Sequence, residues 1–450
     1  MHKLSVIGLG KLGAPMLATF AHKGYTVVGM DLNPDFVASI NAGEALVPEP
    51  QLQEFLSANM DRISATTDMS EAVLNSDISF IIVPTPSGEN RFFKNDYVIS
   101  ALKSIGEALR EKTGYHNVVV TSTVMPGSTG SVLKDALEAA SGRKVGPELG
   151  LCYNPEFIAL GTVVRDMLYP DMILIGESDK KAGDMLEQVY SGSVNSSPEF
   201  QRMNWVNAEL CKIAVNTYVT TKISYANMIA DMCDHLEGAD SDVVTAALGA
   251  DSRIGKKYIK GAIAYGGPCF PRDNKAFAAL GRKLGAKTDL AEATDAINDY
   301  QTDRLLNAVR SVYKENSTIA VLGLSYKPNT PVIEESQGLA LSKRLLAEGY
   351  NVRITDPEAM PNVKNLDKTS GILCDSVQSA LEGADIIIIM TPWSEYSKIS
   401  ISGPNPKFVI DPWRLINESN LPASAKLIRP GVGDWMQGAD QQRTKQVKAS

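Results

Sequence analysis

The apolar positions along this chain change their period twice. Over roughly the first 180 residues, short β-branched runs alternate with stretches whose apolar residues recur at three and four. The strand-like runs are "KLSVIGLG", "YTVVGMD", "ISFIIVPTP", "NVVVTSTV", "GLCYNPEF" and "DMILIGE". The first four are nearly unbroken in apolar character, which suits strands covered on both faces of a parallel sheet. Strands and helices alternating in this way predict βαβ units and a doubly wound fold.

The middle of the chain has another texture. "WVNAELCKIAVNTYVTTKISYANMIADMCDHLEG" runs without proline or glycine until Gly238 and predicts one long helix. More helical patterns follow, interrupted by the glycine-rich "YGGPCFPRDN". From about residue 317 the strand–helix alternation returns. "STIAVLGLSYKP" repeats the grammar of "KLSVIGLGKLG", "YNVRITDP" echoes "YTVVGMDLNP", and "ADIIIIMTPW" echoes "DISFIIVPTP". The same elements in the same order predict a second doubly wound domain. The expected organisation is α/β, with residues 1–198 and 311–450 as the two wound domains and 199–310 as a helical domain between them. The closing "GADQQRTKQVKAS" is polar and is expected to fray. Open α/β sheets take ligands at the carboxyl ends of their strands, so this layout suits one nucleotide per sheet with chemistry between them.

Composition narrows the classes. A chain of 450 residues with 44% hydrophobic and 21% charged residues reads as a globular protein of two or three domains. The net charge of −8, without a dense basic block, argues against nucleic acid as a partner. No apolar run reaches the ~18 residues that would span a bilayer. The amino terminus enters a strand at once, without an export signal, so the expected location is the cytoplasm. Five widely spaced cysteines form no CxxC or Cys/His cluster, which argues against a metal site and against disulfides.

Several motifs carry chemistry. "GLGKLG" follows an apolar strand and opens a helix, and Asp31 ends the next strand. That is a dinucleotide fingerprint: Gly8 for the turn, Gly10 for backbone approach to a pyrophosphate, Gly13 for helix packing. Leu9, Lys11 and Leu12 complete the turn, and the acidic Asp31 suits the ribose hydroxyls of NAD rather than the extra phosphate of NADP. This makes the first wound domain Rossmann-like. "PTP" (Pro84 to Pro86, with Thr85) and "STVMPGST" (with Thr123) end later strands, where they either face cofactor and substrate or simply terminate strands. Glu156 in "NPEF" is either a general base or a charge at a helix start. Lys212 and Asn216, four apart, share one helix face; they either hold an oxygen between ammonium and amide or lie in solvent. Cys269 sits in a loop built to fix backbone, beside Arg272 and Asp273. It is either structural or a nucleophile, and with a nicotinamide cofactor a thiolate has a defined use: it traps an aldehyde, and the adduct gives up a hydride to become a thioester.

Taken together, these segments resemble the UDP-glucose/GDP-mannose dehydrogenase family. The resemblance runs from residue 3 to about 415 through "NAGEALVPEPQL", "STVMPGST", "NPEF", "AELCKIAVNTYVTTKISYANM", "DSRIGKKYIKGAIAYGGPCFPRDN" and "GLSYKPNT", in that order. It implies oxidation of a nucleotide sugar at C6 from alcohol to acid with two NAD and no metal. By motif, Cys269 is the nucleophile, Lys212 and Asn216 hold the C6 oxygen, Asp273 and Thr123 activate water, and Glu156 assists thioester hydrolysis. Phe157, Ile158, Arg253, Tyr258, Tyr265, Gly266, Tyr326, Lys327 and Arg414 match nucleotide-sugar positions. The long helix implies a homodimer, with Arg253 a candidate to serve a neighbouring subunit.

The chain also departs from the family pattern. Phe36 and Leu160 stand where the family usually has a cation and a glutamate, and Glu334 where it has an arginine; all three positions lie on the NAD side. Pro268 and Trp413 replace a serine and an arginine on the sugar side. The expected reaction is UDP-glucose to UDP-glucuronate. The alternatives are GDP-mannose, a UDP-N-acetylhexosamine, a rarer UDP-sugar, or a binding protein that has lost turnover.

Overall fold

The computed structural model describes residues 1–366, 371–399, 401 and 407–433. The polar carboxyl-terminal segment expected to fray lies outside them. Two compact units are present, residues 1–215 and 216–450, and the division falls inside one long helix, Trp205–Asp234.

The first unit is built on an eight-stranded sheet. Its strands are β1 (Leu4–Ile7), β2 (Val27–Met30), β3 (Ile63–Thr66), β4 (Ile78–Ile81), β5 (Asn117–Val120), β6 (Gly150–Tyr153), β7 (Met172–Glu177) and β8 (Glu199–Met203), in the order β3-β2-β1-β4-β5-β6-β7-β8. The first six are parallel and wound in the dinucleotide-binding order. β7 then pairs antiparallel with β6, and β8 pairs parallel with β7. The unbroken apolar runs have a plain cause. Leu4 and Val6 enter the core on one face of the sheet while Ile7 enters the core on the other, and Val119 and Val118 divide in the same way. Each such fully buried side chain stabilises the fold by roughly 1.5–3 kcal/mol.

The second unit contains a six-stranded parallel sheet: β9 (Thr318–Leu322), β10 (Asn351–Thr355), β11 (Ile372–Leu373), β12 (Ile386–Ile389), β13 (Phe408–Ile410) and β14 (Lys426–Ile428). Its order, β11-β10-β9-β12-β13-β14, repeats that of the first six strands. Helices Ser241–Ala250, Phe270–Leu284 and Asp289–Val312 precede it, so the fold is two Rossmann-like sheets with helices between them in sequence. Among the described residues no helix is long and apolar enough to cross a membrane. No two cysteines are joined in a disulfide among the described residues.

Candidate active site

At the carboxyl end of β1 the chain turns through Gly8, whose φ of +100° favours glycine. A Cβ on Gly13 would lie 1.7 Å from the Gly8 carbonyl oxygen, so that position admits no side chain. Nothing lies within 4 Å of where a Cβ on Gly10 would be, which leaves its backbone open to a ligand. The helix Gly13–His22 starts here, with Ala14 N donating to the Gly10 carbonyl at 3.2 Å. Asp31, just past β2, accepts from Leu9 N at 2.7 Å and from Asn33 N at 2.8 Å. Leu9 thus contributes backbone while its side chain is core; Lys11 is exposed and Leu12 partly buried. A turn with an open glycine at Gly10, a helix start and an acidic strand end are what a pyrophosphate and a ribose require, so the residues fit NAD.

Nearby strand ends are lashed together. Ser122 Oγ accepts from Val83 N at 2.8 Å, and Thr85 Oγ1 donates to the Thr123 carbonyl at 2.8 Å, which ties the Pro84–Thr85 segment to "STVMPGST". Glu209, one turn before Lys212, is buried and accepts from Gly127 N at 2.6 Å and Thr129 N at 2.7 Å. Burial pushes its carboxyl up, and the Thr129 and Gly127 donors hold it down. Its task is to anchor the "STVMPGST" turn.

Glu156 is not at a helix start, because the next helix begins at Val163. It lies in an irregular stretch after β6. Lys212, 6% exposed, donates to the Glu156 carbonyl at 2.5 Å and sits 4.5 Å from the centre of the Phe157 ring. This ammonium does not lie in solvent. Burial raises the Glu156 carboxyl, the charge of Lys212 opposes it, and its Oε1 lies 2.9 Å from the Tyr190 hydroxyl. Ile158 and Leu160 pack against the first core, as does Phe36, so two of the departures from the family pattern are apolar contacts. The same stretch is pinned at its far end by Glu49, which accepts from Gly161 N at 2.8 Å and Val163 N at 2.7 Å.

In the second unit Asn216, 8% exposed, donates to Asp273 Oδ2 at 2.6 Å. Asp273 is 1% exposed and also accepts from Arg272 Nε at 3.3 Å. It stands in the first turn of helix Phe270–Leu284, whose N-cap position is Cys269. Cys269 is exposed, which leaves no part for it as core packing. A helix start favours negative charge such as a thiolate. The loop before it is seated closely. A Cβ on Gly266 would lie 2.2 Å from the Glu335 carbonyl oxygen, and one on Gly267 would lie 2.5 Å from the Tyr326 ring. The Tyr265 backbone is clamped by Asn298, N to Oδ1 at 2.8 Å and Nδ2 to O at 3.1 Å, and its phenol donates to Asp295 at 2.8 Å.

The remaining expected substrate residues are spread more widely. Lys327 Nζ lies 5.8 Å from the Tyr326 ring centre. Tyr258, at φ +62°, meets Phe270 edge to face. Arg253 is largely exposed and pairs with Asp251 at 2.6 Å. Arg414 pairs with Asp240 at 2.7 Å and Asp242 at 3.4 Å, so those carboxylates compete with any ligand for its guanidinium. Glu334 is exposed and contributes its carbonyl to Gly267 N at 3.1 Å. Trp413 donates to the Met390 carbonyl at 3.1 Å and is structural there. The strand reading singles out neither Glu49 nor Tyr190; the acidic residue inside "LVPEP" was the available signal for the first. Among the described residues no three His, Cys, Asp or Glu side chains converge as a metal would need.

Comparison with known proteins gives this geometry its family. Models of the UDP-glucose/GDP-mannose dehydrogenase family match along the chain: the NAD binding domain over residues 2–194, the central domain over 206–300 and the UDP binding domain over 320–418. UDP-glucose 6-dehydrogenase AglM of Haloferax volcanii is 36% identical over 421 residues, covering 92% of this chain and 97% of the relative. GDP-mannose 6-dehydrogenase of Pseudomonas putida is 30% identical over 444 residues, covering 96% and 99%. The solved structure of a UDP-glucose dehydrogenase from Pyrobaculum islandicum superposes with a TM-score of 0.87 at 33% identity, covering 96% of this chain and 98% of that one. An open glycine turn ending in Asp31, an exposed thiol at a helix start and three family models in register have one reading: the chain belongs to the UDP-glucose/GDP-mannose dehydrogenase family and is an NAD-dependent nucleotide-sugar 6-dehydrogenase.

Proposed function

We propose that the enzyme converts UDP-glucose to UDP-glucuronate. The observation that carries this reading is the likeness, at 36% identity over nearly the full length, to a UDP-glucose 6-dehydrogenase. The match of residues 320–418 to a UDP binding domain supports it. GDP-mannose is the second reading, favoured by GDP-mannose 6-dehydrogenases at 30% identity.

The chemistry assigns each residue a task. NAD, when bound, supplies the acceptor for a hydride twice in each turnover. Lys212 and Asn216 hold the C6 oxygen as the alcohol becomes an aldehyde, Lys212 stabilising the negative charge that develops there. Cys269 Sγ then bonds to C6, giving a thiohemiacetal. Loss of the second hydride leaves a thioester. Water, activated by Asp273 and Thr123, bonds to C6 as the C–S bond breaks, and Glu156 assists this release. Phe157, Ile158, Tyr258, Tyr265, Gly266, Tyr326, Lys327 and Arg414 position the sugar and its nucleotide. In this reading residues 199–310 are the dimerising segment, and Arg253 reaches the neighbouring subunit. Tyr218, Tyr225 and Met232, seven apart on the long helix, are 64%, 46% and 54% exposed and supply the apolar face for a second copy.

The test is a panel of UDP- and GDP-sugars assayed for NADH with wild type and Cys269→Ser. Two NADH per UDP-glucose, and no acid from Cys269→Ser, are expected. A higher kcat/KM on GDP-mannose overturns the sugar, and acid formation by Cys269→Ser at the wild-type rate overturns the covalent route. Sedimentation of the same sample as a monomer overturns the dimer.

A further inference from the structure

Tyr190 has no part in the scheme above, yet it touches a residue that does. It rises from helix Lys180–Ser193 and is 3% exposed. Its hydroxyl lies 2.6 Å from Asn154 Oδ1 and 2.9 Å from Glu156 Oε1. A phenol has one proton to give, so it cannot donate fully to both. The Asn154 amide settles which contact takes it. Asn154 is 2% exposed, and its Nδ2 donates to the Leu174 carbonyl at 2.9 Å. Turned over, the amide would set its own oxygen against that carbonyl. Asn154 Oδ1 therefore faces Tyr190 and can only accept, and this shorter contact takes the phenol proton. The phenol oxygen then offers Glu156 only lone pairs. At 2.9 Å two oxygens without a proton between them repel, so the proton lies on Glu156.

We propose that Tyr190 is a positioning residue that holds Glu156 as a carboxylic acid in the resting enzyme, through the relay Glu156–Tyr190–Asn154–Leu174. This rests on the reading of Glu156 as a participant in thioester release, and it makes Glu156 the proton donor of that step rather than its base. Water's oxygen bonds to C6, its proton passes to Asp273, the C–S bond breaks and the departing sulfur takes the Glu156 proton. The Tyr190 hydroxyl stays on Asn154 throughout, and the carboxylate left behind is reprotonated from solvent. The titratable or charged groups facing the Glu156 carboxyl are Tyr190 and Lys212. Burial of the carboxyl agrees in direction with the neutral form.

Infrared difference spectra of the NAD-bound enzyme, wild type minus Glu156→Gln, test this by the carbonyl stretch of a protonated carboxylic acid. The band is expected at pH 7 and should be lost as pH rises. Tyr190→Phe removes the acceptor of the acid's proton, so the midpoint of that loss should fall by about one pH unit. A midpoint that rises instead shows the phenol donating to a carboxylate and overturns the proposal. Absence of the band at pH 7 overturns it without any Tyr190 variant, should Tyr190→Phe not fold. The parent reading fails differently: Glu156→Gln would then still release acid at the wild-type rate, whatever the band does.

Discussion

The two sheets share a backbone frame and differ in what they leave open. Gly8 and Gly323 both turn at the end of the first strand, at φ +100° and +102°. Gly13 and Gly338 both open the following helix region under the same restriction, since a Cβ would lie 1.7 Å and 2.1 Å from the carbonyl oxygens of Gly8 and Gly323. In the first sheet these two glycines are five residues apart; in the second they are fifteen apart, and the added segment carries Tyr326 and Lys327. The acidic strand ends differ as well. Asp31 is partly exposed and accepts from two backbone N–H groups, those of Leu9 and Asn33. Asp356 is 4% exposed, and its oxygens are taken by Leu324 N, Ser325 N and Oγ, Trp393 Nε1, Glu358 N and Ala359 N. The first aspartate is open to a ribose; the second is spent on holding its own loop. The acidic strand end of the second sheet is thus not open to a ribose as Asp31 is. Equal topology therefore does not mean an equal site.

Three experiments press on this comparison. The largest effect is expected from the paired glycines. Gly13→Ala forces backbone against backbone and should cost about 3 kcal/mol at the turn, which raises the Kd for NAD about a hundredfold while nucleotide-sugar binding stays near wild type. Gly338→Ala should do the reverse. Calorimetric titration of each variant with each ligand reads both, and equal losses for both ligands would erase the distinction. Next come the aspartates. Asp356→Asn leaves several buried donors poorly met and should lower the unfolding free energy by about 3 kcal/mol; Asp31→Asn should lower it by about 1 kcal/mol and weaken discrimination against NADP. Equal denaturation midpoints would show that Asp356 is not spent on structure. The smallest effect separates the sheets by pH. His116 is fully buried beneath the first sheet between Ser79 and Lys112, and burial, with the charge of Lys112, pushes its imidazole down to about 3. Folding keeps it neutral, so its contribution is present above the unfolded pKa of about 6.5 and is lost as pH falls toward the folded value. Between pH 6.5 and 5 the first unit should lose about 2 kcal/mol, and His116→Gln should abolish that slope. An unchanged slope would place the acid sensitivity elsewhere.

Much of the frame was legible because central parallel strands are buried on both faces and must be apolar throughout. "KLSVIGLG", "NVVVTSTV" and "ADIIIIMTPW" announce themselves for that reason. The edge strands Ile63–Thr66, Glu199–Met203 and Ile372–Leu373 are half exposed or exposed and read as loop. The reversal of β7 was illegible, because an apolar run carries no direction. In the site, Lys212, Asn216 and Asp273 stand out by residue type and spacing, and the fold then gives each a partner. Tyr190 did not stand out: a tyrosine in an amphipathic helix reads as core, and its link to Glu156 spans 34 residues. Asp356 marks where the analogy between the two sheets ends. "YNVRITDP" echoes "YTVVGMDLNP" closely, yet six donors close over its carboxylate, and nothing in eight letters tells an open aspartate from a sealed one.

The seating of "YGGPCFPRDN" has a consequence for anyone who would re-engineer this enzyme. Gly266 and Gly267 lie against the Glu335 carbonyl and the Tyr326 ring with no room for a methyl group, and Gly267 N is bonded to the Glu334 carbonyl. The Cys269 loop and the inserted segment of the second sheet were therefore cut to one template. A chimera that imports the loop alone from an enzyme with another sugar, or the insert alone, will mismatch at this seam. Residues 265–274 and 324–337 form a single transplantable cassette, to be exchanged together or left in place.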